Sequence, residues 1–399
     1  MKYVVLLGDG MSDRAIEGLG GKTPLQVAKT PNMDFMARRG LLGLVQTVPA
    51  GYPPGSDVAN LSMFGYDPAE CYTGRSPLEA ASMGVELGPD DVAFRINLVN
   101  LDARGGRLLM DDYSAGHIST ADGRQLIEEL QRQLGDDEFS FHPGVSYRHL
   151  MVWHNGSTQI QTTPPHDITG QDVSTFLPKG EGSDRLIYLM NSSQMIFHNH
   201  PQYKKRCEKG ETPANSIWLW GQGKAPAMEC FQTKFGLTGA VISAVDLIKG
   251  IGIYAGLEII DVPGATGYLD TNFRGKAQAA LEALKQGDFV FVHVEAPDEA
   301  SHSGKLADKI QAIECFDEQV VGPVLEGIKQ FGEYRILCAP DHPTPLALMT
   351  HTSDPVPFVI YGGEEKVKDG VAGYDEPSAA AADYRVSEGF RLMELLLGR

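Results

Sequence analysis

Short apolar runs lie near both ends of the chain, and each stops at a polar or turn-forming residue. They occupy positions 2–7, 288–294, 334–339 and 358–361. A nearly unbroken run of Val, Ile, Leu and Phe predicts a strand that is buried on both faces, as in a parallel sheet. The two ends of the chain are therefore expected to contribute strands to one buried sheet.

Helical spacing separates these runs. Positions 32–39 look helical and stop at Gly40, and positions 240–249 are also expected to be helical, before a strand at 257–262. Across 305–331, apolar residues at near-helical intervals predict one long crossover helix: Ile310, Ile313, Phe316, Val320, Val324 and Ile328. Strands that alternate with helices predict the α/β class, with a mostly parallel sheet flanked by helices.

The middle of the chain has a different pattern. Short strand-like runs at 150–153 and 217–220 and a helical piece at 126–134 are separated there by polar loops rich in Pro and Gly. This mixture predicts a smaller α+β domain inserted into the α/β fold. The expected division is a core made of residues 1–112 and 233–399, and an inserted substrate-binding domain made of residues 113–232.

Composition limits where the protein is expected to work. No stretch of the 399 residues approaches the ~18 consecutive apolar residues of a membrane span. The first apolar run lacks the length and the cleavage site of a signal peptide. The five cysteines are scattered, without C-x-x-C spacing, which indicates neither a disulfide framework nor a zinc ribbon. A cytoplasmic protein is expected.

The charge balance limits the partners. Asp and Glu outnumber Lys and Arg, 52 to 34, for a formal net charge of −18. Nucleic acids and anionic membranes are not expected as partners, because sequence-independent binding to either needs a basic surface. A small anionic substrate requires local positive charge, from metal ions or from converging arginines. The pattern indicates no particular oligomeric state.

Carboxylates and imidazoles follow the predicted strands. The carboxyl ends of parallel strands share one edge of a sheet, so residues just after them can converge: Asp9, Asp298 and Asp341. Three histidines accompany these aspartates: His302, one helical turn after Asp298, then His342 and His351. Taken singly, such residues are often helix caps or hydrogen-bonded loop residues. Together they predict two adjacent divalent ions, with manganese favoured and zinc as the alternative, because calcium and magnesium prefer oxygen ligands alone.

A loop rich in Gly and Pro, at positions 51–55, leads into a predicted helix at Ser56. Free backbone N–H groups and the helix dipole favour a bound phosphate at such a position. A nearby divalent ion would also make the hydroxyl more acidic and therefore a usable nucleophile. The alternative is an ordinary N-cap serine.

Short motifs along essentially the whole chain resemble one family, the archaeal-type cofactor-independent phosphoglycerate mutases of the alkaline phosphatase superfamily. The motifs are GDGM at 8–11, PGSD at 54–57, YTGR at 72–75, AFRIN at 93–97, TPPHD at 163–167, GATG at 264–267, HVEAPDEASH at 293–302 and DH at 341–342.

This resemblance implies an alkaline-phosphatase-like fold and a mutase that interconverts 3-phosphoglycerate and 2-phosphoglycerate independently of 2,3-bisphosphoglycerate. It implies that Ser56 is phosphorylated during turnover. It also implies two metal-ligand sets, one of Asp298, His302 and His351, and the other of Asp9, Ser56, Asp341 and His342.

Phosphoglycerate carries a phosphate and a carboxylate, and both suit bidentate contacts from guanidinium groups. The candidate substrate-binding residues lie within or near the motifs: Arg75, Arg95 and Arg148, with His117 and His166 as polar partners. Asp167 is the candidate proton acceptor for the substrate hydroxyl. For each arginine the alternative is an ordinary ion pair.

One motif departs from the archaeal pattern. Where archaeal mutases commonly have R-A-G-R-I, this chain has SAGHI at 114–118, a form that resembles a bacterial branch of the family proposed to be homoserine kinase. This departure does not affect the predicted chemistry at Ser56, but it leaves the identity of the phosphoryl acceptor open. The alternative enzymes are a metal-dependent phosphotransferase of the homoserine kinase type and a phosphomonoester hydrolase. A third alternative is a non-catalytic metal-binding module that has kept the fold.

Overall fold

The computed structural model describes residues 1–362 and 371–399. It divides the chain into two compact units. The first unit contains Met1–Tyr72 and Ala227–Arg399, and the second contains Thr73–Pro226. The second unit is therefore an insertion in the sequence of the first.

The strands in these ranges are β1 Lys2–Gly8, β2 Leu41–Val45, β3 Val92–Arg104, β4 Arg107–Asp112, β5 Phe139–Val145, β6 Arg148–Trp153, β7 Ile160–Gln161, β8 Lys179–Gly180, β9 Ser216–Gly223, β10 Gly239–Ile242, β11 Glu258–Ile259, β12 Phe289–Val294, β13 Tyr334–Ala339, β14 Val356–Tyr361 and β15 Arg385–Val386.

The α-helices are α1 Pro24–Val27, α2 Pro31–Arg39, α3 Ser56–Met63, α4 Pro68–Cys71, α5 Ser76–Ser82, α6 Thr120–Leu134, α7 Ser183–Asn199, α8 Pro201–Glu208, α9 Phe231–Phe235, α10 Asp246–Tyr254, α11 Phe273–Ala283, α12 Ala296–His302, α13 Leu306–Phe316, α14 Gly322–Gly327, α15 Glu376–Ala381 and α16 Leu392–Leu397. None of them combines the length and the apolar character needed to cross a membrane.

The first unit is built on an eight-stranded sheet with the order β11-β10-β12-β1-β13-β14-β2-β15. At its centre β12, β1 and β13 run parallel, with Leu6 opposite Val292 and Cys338. Strand β14 is antiparallel to both of its neighbours. Every residue of β12 is buried, as expected for a strand covered on both faces. The predicted α/β class with a mostly parallel sheet is confirmed.

Helix α11 illustrates how the core is closed on one face of this sheet. Phe273, Ala277 and Ala280 recur at helical spacing and are buried in the same apolar cluster as Val290 and Val292 of β12. Their spacing gives α11 one apolar stripe, which packs on the strands while the other face meets solvent.

The second unit is an α+β structure. Its main sheet is antiparallel with the order β4-β3-β6-β5, and β9 pairs with the other side of β3. Helix α6 packs on β5, and α7 packs on β9. Ser119 caps α6 by accepting a hydrogen bond from the Asp122 backbone N–H, 3.2 Å away.

The inserted unit begins at Thr73 rather than at residue 113, and it ends at Pro226 rather than at 232. The physical reason is strand pairing, because β3 and β4 belong to the antiparallel sheet of the second unit and not to the parallel sheet of the first. No change in composition before residue 113 marks this pairing in the sequence.

Two helix predictions are wrong in detail. The start of the helix predicted at 240–249 is strand β10, since a four-residue apolar run fits a buried strand or a helix equally well by periodicity. The helix predicted at 305–331 is broken after α13 by a π-helical turn at Asp317–Val321, before α14 and a 3-10 turn at Ile328–Phe331. Pro323 lies just after the π turn and has no backbone N–H for a regular helical hydrogen bond.

Candidate active site

Strand β1 lies between β12 and β13, so residues that follow these strands meet at one edge of the sheet. Asp9 follows β1, Glu295 follows β12, and Asp341 lies two positions after β13. The side chains of Asp9 and Asp341 are fully buried. The sheet therefore gathers carboxylates in its interior, where their charges require compensation.

Backbone and amide donors fix the Asp341 carboxylate. Its Oδ1 accepts hydrogen bonds from the backbone N–H groups of Gly10 and His342, at 3.2 and 2.9 Å, and its Oδ2 accepts one from Asn60 Nδ2 at 2.8 Å. Gly10 has a φ of +60°, and a Cβ there would lie 2.5 Å from Asp298 Oδ1. Only glycine allows the loop after β1 to approach the other carboxylates so closely.

The short helix α12 carries Asp298 and His302 one turn apart. His302 Nε2 lies 3.1 Å from Asp298 Oδ2, and His351 Nε2 lies 3.6 Å from Asp298 Oδ1. The two imidazole Nε2 atoms are 2.9 Å apart. His302 Nδ1 contacts the carbonyl oxygen of Met349 at 2.9 Å, and a carbonyl only accepts, so Nδ1 carries a proton and Nε2 faces the site.

Ser56 is the first residue of α3, and the N-cap is Gly55. Ser56 is therefore not the ordinary N-cap serine of the alternative interpretation. Its Oγ lies 3.1 Å from His342 Nε2, which also lies 3.5 Å from Asp9 Oδ1 and 3.3 Å from Asp341 Oδ2. The hydroxyl thus opens onto the buried carboxylate and imidazole cluster.

Burial and mutual repulsion shift the pKa values of this cluster. Burial, followed by the charges of Asp341, Glu295 and Asp298, raises the pKa of Asp9 well above its usual range. Burial likewise raises the pKa of Glu295 to about 8 and lowers that of His342 to about 4. Burial opposes ionisation of Asp298 as well, but hydrogen bonds with His302 and His351 hold its pKa well below its usual value.

These residues fit divalent cations. Asp9 Oδ1 is buried and has no hydrogen-bond partner among the described residues. The His302 and His351 Nε2 atoms, 2.9 Å apart, also place two imidazole ligand atoms side by side. Three sets of ligand atoms, each within 4.8 Å of one another, have the spacing of a metal site: Asp298, His342 and His351; Asp9, Asp341 and His342; and Asp9, His293 and Glu295.

All seven predicted ligands lie in the first unit and are linked by the contacts above. His293 and Glu295 have no role predicted from the sequence, although both lie in the motif at 293–302. His293 is inside a buried apolar run, which a strand prediction absorbs without assigning chemistry. A carboxylate directly after a strand, as at Asp9, was the signal that could have identified Glu295.

The arginine candidates lie in the second unit around one carboxylate. Glu79 Oε1 accepts from Arg75 Nε at 2.9 Å and from a terminal nitrogen of Arg95 at 2.8 Å. Although burial opposes ionisation, Arg95, Arg75 and Arg148 hold the pKa of Glu79 below its usual value. Burial lowers the pKa of Arg95 to about 10, and its Nε has no partner among the described residues. Three guanidinium groups and one carboxylate leave a local excess of positive charge.

The histidine candidates belong to a row of rings in the same unit. Ring centroids are 5.8 Å apart for His117 and Tyr147, 5.9 Å for Tyr147 and Tyr113, 6.1 Å for Tyr113 and His166, and 5.5 Å for His166 and Trp220. The guanidinium of Arg95 lies 4.9 Å from the Trp220 ring centroid, and that of Arg148 lies 5.7 Å from the Tyr147 ring centroid. Asp167 is largely exposed, with Oδ1 3.6 Å from His166 Nε2.

His117 lies at the end of an unusual turn. Ala115, Gly116 and His117 have φ values of 50°, 65° and 49°, and the Ile118 N–H contacts the Ser114 carbonyl oxygen at 3.3 Å. This is one turn of left-handed helix, which costs a non-glycine residue roughly 1–2 kcal/mol. Asp112 holds it, because its carboxylate accepts from the Ser114 N–H and hydroxyl, both at 2.7 Å, and from the Gly116 N–H at 3.0 Å.

Comparison with known proteins gives close relatives over the full length. A family model described as 2,3-bisphosphoglycerate-independent phosphoglycerate mutase matches residues 37–203. A Geobacter sulfurreducens protein named probable 2,3-bisphosphoglycerate-independent phosphoglycerate mutase is 67% identical and covers 100% of both chains. A Methanosarcina acetivorans 2,3-bisphosphoglycerate-independent phosphoglycerate mutase is 55% identical over 95% of each chain.

Solved structures agree with these relatives. A Pyrococcus horikoshii protein superposes with a TM-score of 0.84 at 29% identity, over 100% of this chain and 96% of that one. The cofactor-independent phosphoglycerate mutase of Thermoplasma acidophilum superposes with a TM-score of 0.63 at 26% identity, over 100% and 99%. As its motifs predict, the chain belongs to the family of 2,3-bisphosphoglycerate-independent phosphoglycerate mutases.

Proposed function

We propose that this chain interconverts 3-phosphoglycerate and 2-phosphoglycerate through a phosphoserine on Ser56, with neither 2,3-bisphosphoglycerate nor ATP. Family membership supports the reaction. One observation carries the assignment of the nucleophile. Ser56 Oγ lies at the start of α3, 3.1 Å from His342 Nε2 and beside the buried carboxylates of Asp9 and Asp341.

Two divalent cations, manganese or zinc, are proposed at this cluster because carboxylate and imidazole together suit those ions. The proposed holders are Asp298, His302 and His351 for one ion, and Asp9, Ser56, Asp341 and His342 for the other. When bound, such cations supply positive charge that neutralises a transferring phosphoryl group.

The side chains would divide the reaction between them. Ser56 Oγ loses its proton and forms a bond to phosphorus as the bond from phosphorus to the glycerate oxygen breaks, and that oxygen takes up a proton. The second half-reaction reverses this at the other hydroxyl. Backbone N–H groups in the first turn of α3 favour the phosphate oxygens. Asn60 Nδ2 bonds both the Ser56 carbonyl oxygen, at 2.9 Å, and Asp341 Oδ2, at 2.8 Å, and so ties the nucleophile's helix to the carboxylate cluster.

The second unit is proposed to bind the small anionic substrate. Arg75, Arg95 and Arg148 provide more positive charge than Glu79 neutralises, so their cluster suits a carboxylate or a phosphate. His117 and His166 are proposed as polar partners, and Asp167 as the proton acceptor for a substrate hydroxyl. Retention of glycerate would prevent water from taking the phosphoryl group.

Phosphorus NMR of the purified protein with Mn²⁺ and 3-phosphoglycerate tests this function. The expected result is formation of 2-phosphoglycerate with little inorganic phosphate and with no change when ATP and homoserine are added. Accumulation of inorganic phosphate would indicate a hydrolase. ATP-dependent formation of phosphohomoserine, without 2-phosphoglycerate, would indicate that His117 belongs to a kinase of the homoserine type.

A further inference from the structure

His293 is fully buried near the end of β12, between a hydroxyl and two carboxylates. Its Nδ1 lies 3.1 Å from Ser243 Oγ. Its Nε2 lies 2.8 Å from Asp9 Oδ2 and 3.4 Å from Glu295 Oε2. The roles proposed for Ser56 and for the metal ligands do not explain why a buried imidazole lies at this position.

The neighbours of the ring decide which nitrogen carries the proton. As a metal ligand Asp9 is a charged carboxylate, whose oxygens accept hydrogen bonds, so an unprotonated Nε2 would place its lone pair against that charge. Ser243 Oγ accepts the Val245 N–H at 3.0 Å, and its own hydrogen is available to Nδ1. The consistent assignment is a chain in which Ser243 donates to His293 Nδ1, and His293 Nε2–H donates to Asp9 Oδ2.

The proposed ligand histidines have the opposite arrangement. Thr344 Oγ1 donates to Asp298 Oδ1, so it accepts from His342 Nδ1, 3.2 Å away, and Nε2 of His342 faces Ser56. In both His302 and His342 the Nδ1–H is used by a neighbour, and Nε2 is left for a cation. In His293 the Nε2–H is itself the donor.

We propose that His293 is a positioning residue that fixes the Asp9 carboxylate by donating to Oδ2, so that Oδ1 is presented to the metal site. This inference rests on the proposed function, because it takes Asp9 as a ligand. It also means that the Asp9, His293 and Glu295 group, despite its ligand-like spacing, does not take a third cation. The buried ammonium of Lys276, which donates to the His293 carbonyl oxygen at 2.8 Å, adds positive charge there.

The test is Mn²⁺ affinity and stoichiometry, measured by chelator competition and elemental analysis on the full chain. His293→Leu removes the donor and should weaken one Mn²⁺ site by about tenfold to a hundredfold. His293→Gln, whose Nε2 can replace the imidazole Nε2, should stay within about threefold of the wild type. His149→Leu removes another buried imidazole, in the second unit, and should leave Mn²⁺ affinity unchanged.

Ser243→Ala provides a variant that keeps the imidazole, should His293→Leu fail to fold. It should weaken the same site by roughly threefold to tenfold, because the ring loses its orienting partner. The inference is overturned if His293→Leu or Ser243→Ala binds like the wild type, if His293→Gln is no better than His293→Leu, or if the wild type binds a third ion that His293→Leu loses. A wild-type protein that binds no Mn²⁺ at all would instead refute the proposed metal site itself.

Discussion

Ser56 and Ser62 are serines on the same helix, α3, and of the two only Ser56 contacts the proposed metal ligands. Ser56→Ala should lower kcat by at least about a thousandfold, because a covalent intermediate accounts for several kcal/mol of the barrier. Folding and most of the Mn²⁺ affinity should remain, since the hydroxyl is one ligand among seven proposed. Mutase assays, thermal unfolding and Mn²⁺ binding provide the measurements.

Ser62→Ala is the matched control for this substitution. Its Oγ is buried without a hydrogen-bond partner in the described part of the chain, so removing it should leave kcat unchanged and stability equal or slightly higher. A Ser56→Ala protein that retains more than about a thousandth of the wild-type rate would be incompatible with a phosphoserine intermediate.

The left-handed turn at 115–117 is an element whose strain is compensated locally by Asp112. Asp112→Asn places an amide against the Gly116 N–H and should release the turn, so that KM for 3-phosphoglycerate rises more than kcat falls. In a double-mutant cycle with His117→Ala, the effect of Asp112→Asn should largely disappear, because the turn acts through His117.

Ala115→Gly checks that the turn is strained. Glycine adopts positive φ without penalty, which offsets the loss of the buried Ala115 methyl group and the greater flexibility of the unfolded chain. The free energy of unfolding should therefore stay within about 1 kcal/mol of the wild type, with KM little changed. Additive effects of Asp112→Asn and His117→Ala on KM would mean that Asp112 stabilises the unit without positioning His117.

Lys309 of α13 joins the loops that follow β1 and β13. Its fully buried ammonium donates to Asp13 Oδ2 at 2.8 Å, to the Ser12 carbonyl oxygen at 3.3 Å and to the Thr344 carbonyl oxygen at 3.0 Å. Lys309→Met leaves the buried Asp13 carboxylate with backbone N–H donors but without a cation. The substitution should lower the free energy of unfolding by about 3–5 kcal/mol in urea titrations. Lys285→Met, which removes an exposed ion pair with Glu282, should cost less than about 1 kcal/mol. Equal effects of the two variants would contradict the role given to Lys309.

Over the whole molecule, the convergence of the proposed metal ligands could be predicted from the sequence because one geometric rule governs it. Asp9 and Asp341 follow parallel strands, and such strands end at one edge of the sheet. Asp298 and His302 are one helical turn apart, so their proximity is local. The central strands were predictable for a similar reason, since a run buried on both faces is recorded in consecutive residues.

The second unit was harder to predict from the sequence because its contacts depend on strand register. Arg95 lies opposite Trp220, and Asn97 lies opposite Arg148, through pairings that join distant parts of the sequence. A shift of one residue would reverse every side chain, and no local pattern fixes that register. The boundary at Thr73 and the row of rings depend on such strand pairings. The left-handed turn depends on backbone strain. His293 was missed because a buried polar residue within an apolar run resembles ordinary strand sequence.

Removal of metal should make the stability of the whole chain depend on pH with a definite sign. Burial raises the pKa of Asp9 and, to about 8, that of Glu295. Although burial opposes it, the carboxylate of Asp298 raises the pKa of His302 to about 9. In the unfolded chain these groups titrate near their ordinary values, roughly 4 for the carboxyls and 6.5 for the histidine. Between about pH 6.5 and 9 these three groups therefore bind more protons in the folded metal-free protein than in the unfolded chain.

It follows that the Tm of chelator-treated protein should fall as pH rises from 6.5 to 9, because the folded state must then lose protons that stabilise it. Burial lowers the pKa of His342 to about 4, that of His293 well below its usual value and that of Lys276 to about 8. These groups oppose the trend only in part, the two histidines near pH 6.5 and Lys276 above about pH 8. With saturating Mn²⁺ the trend should reverse, because a cation replaces those protons and binds more tightly as they leave. Differential scanning calorimetry at several pH values, with and without Mn²⁺, measures both slopes. A metal-free Tm that is constant or rises across this window would contradict the prediction that Asp9, Glu295 and His302 hold extra protons in the folded protein.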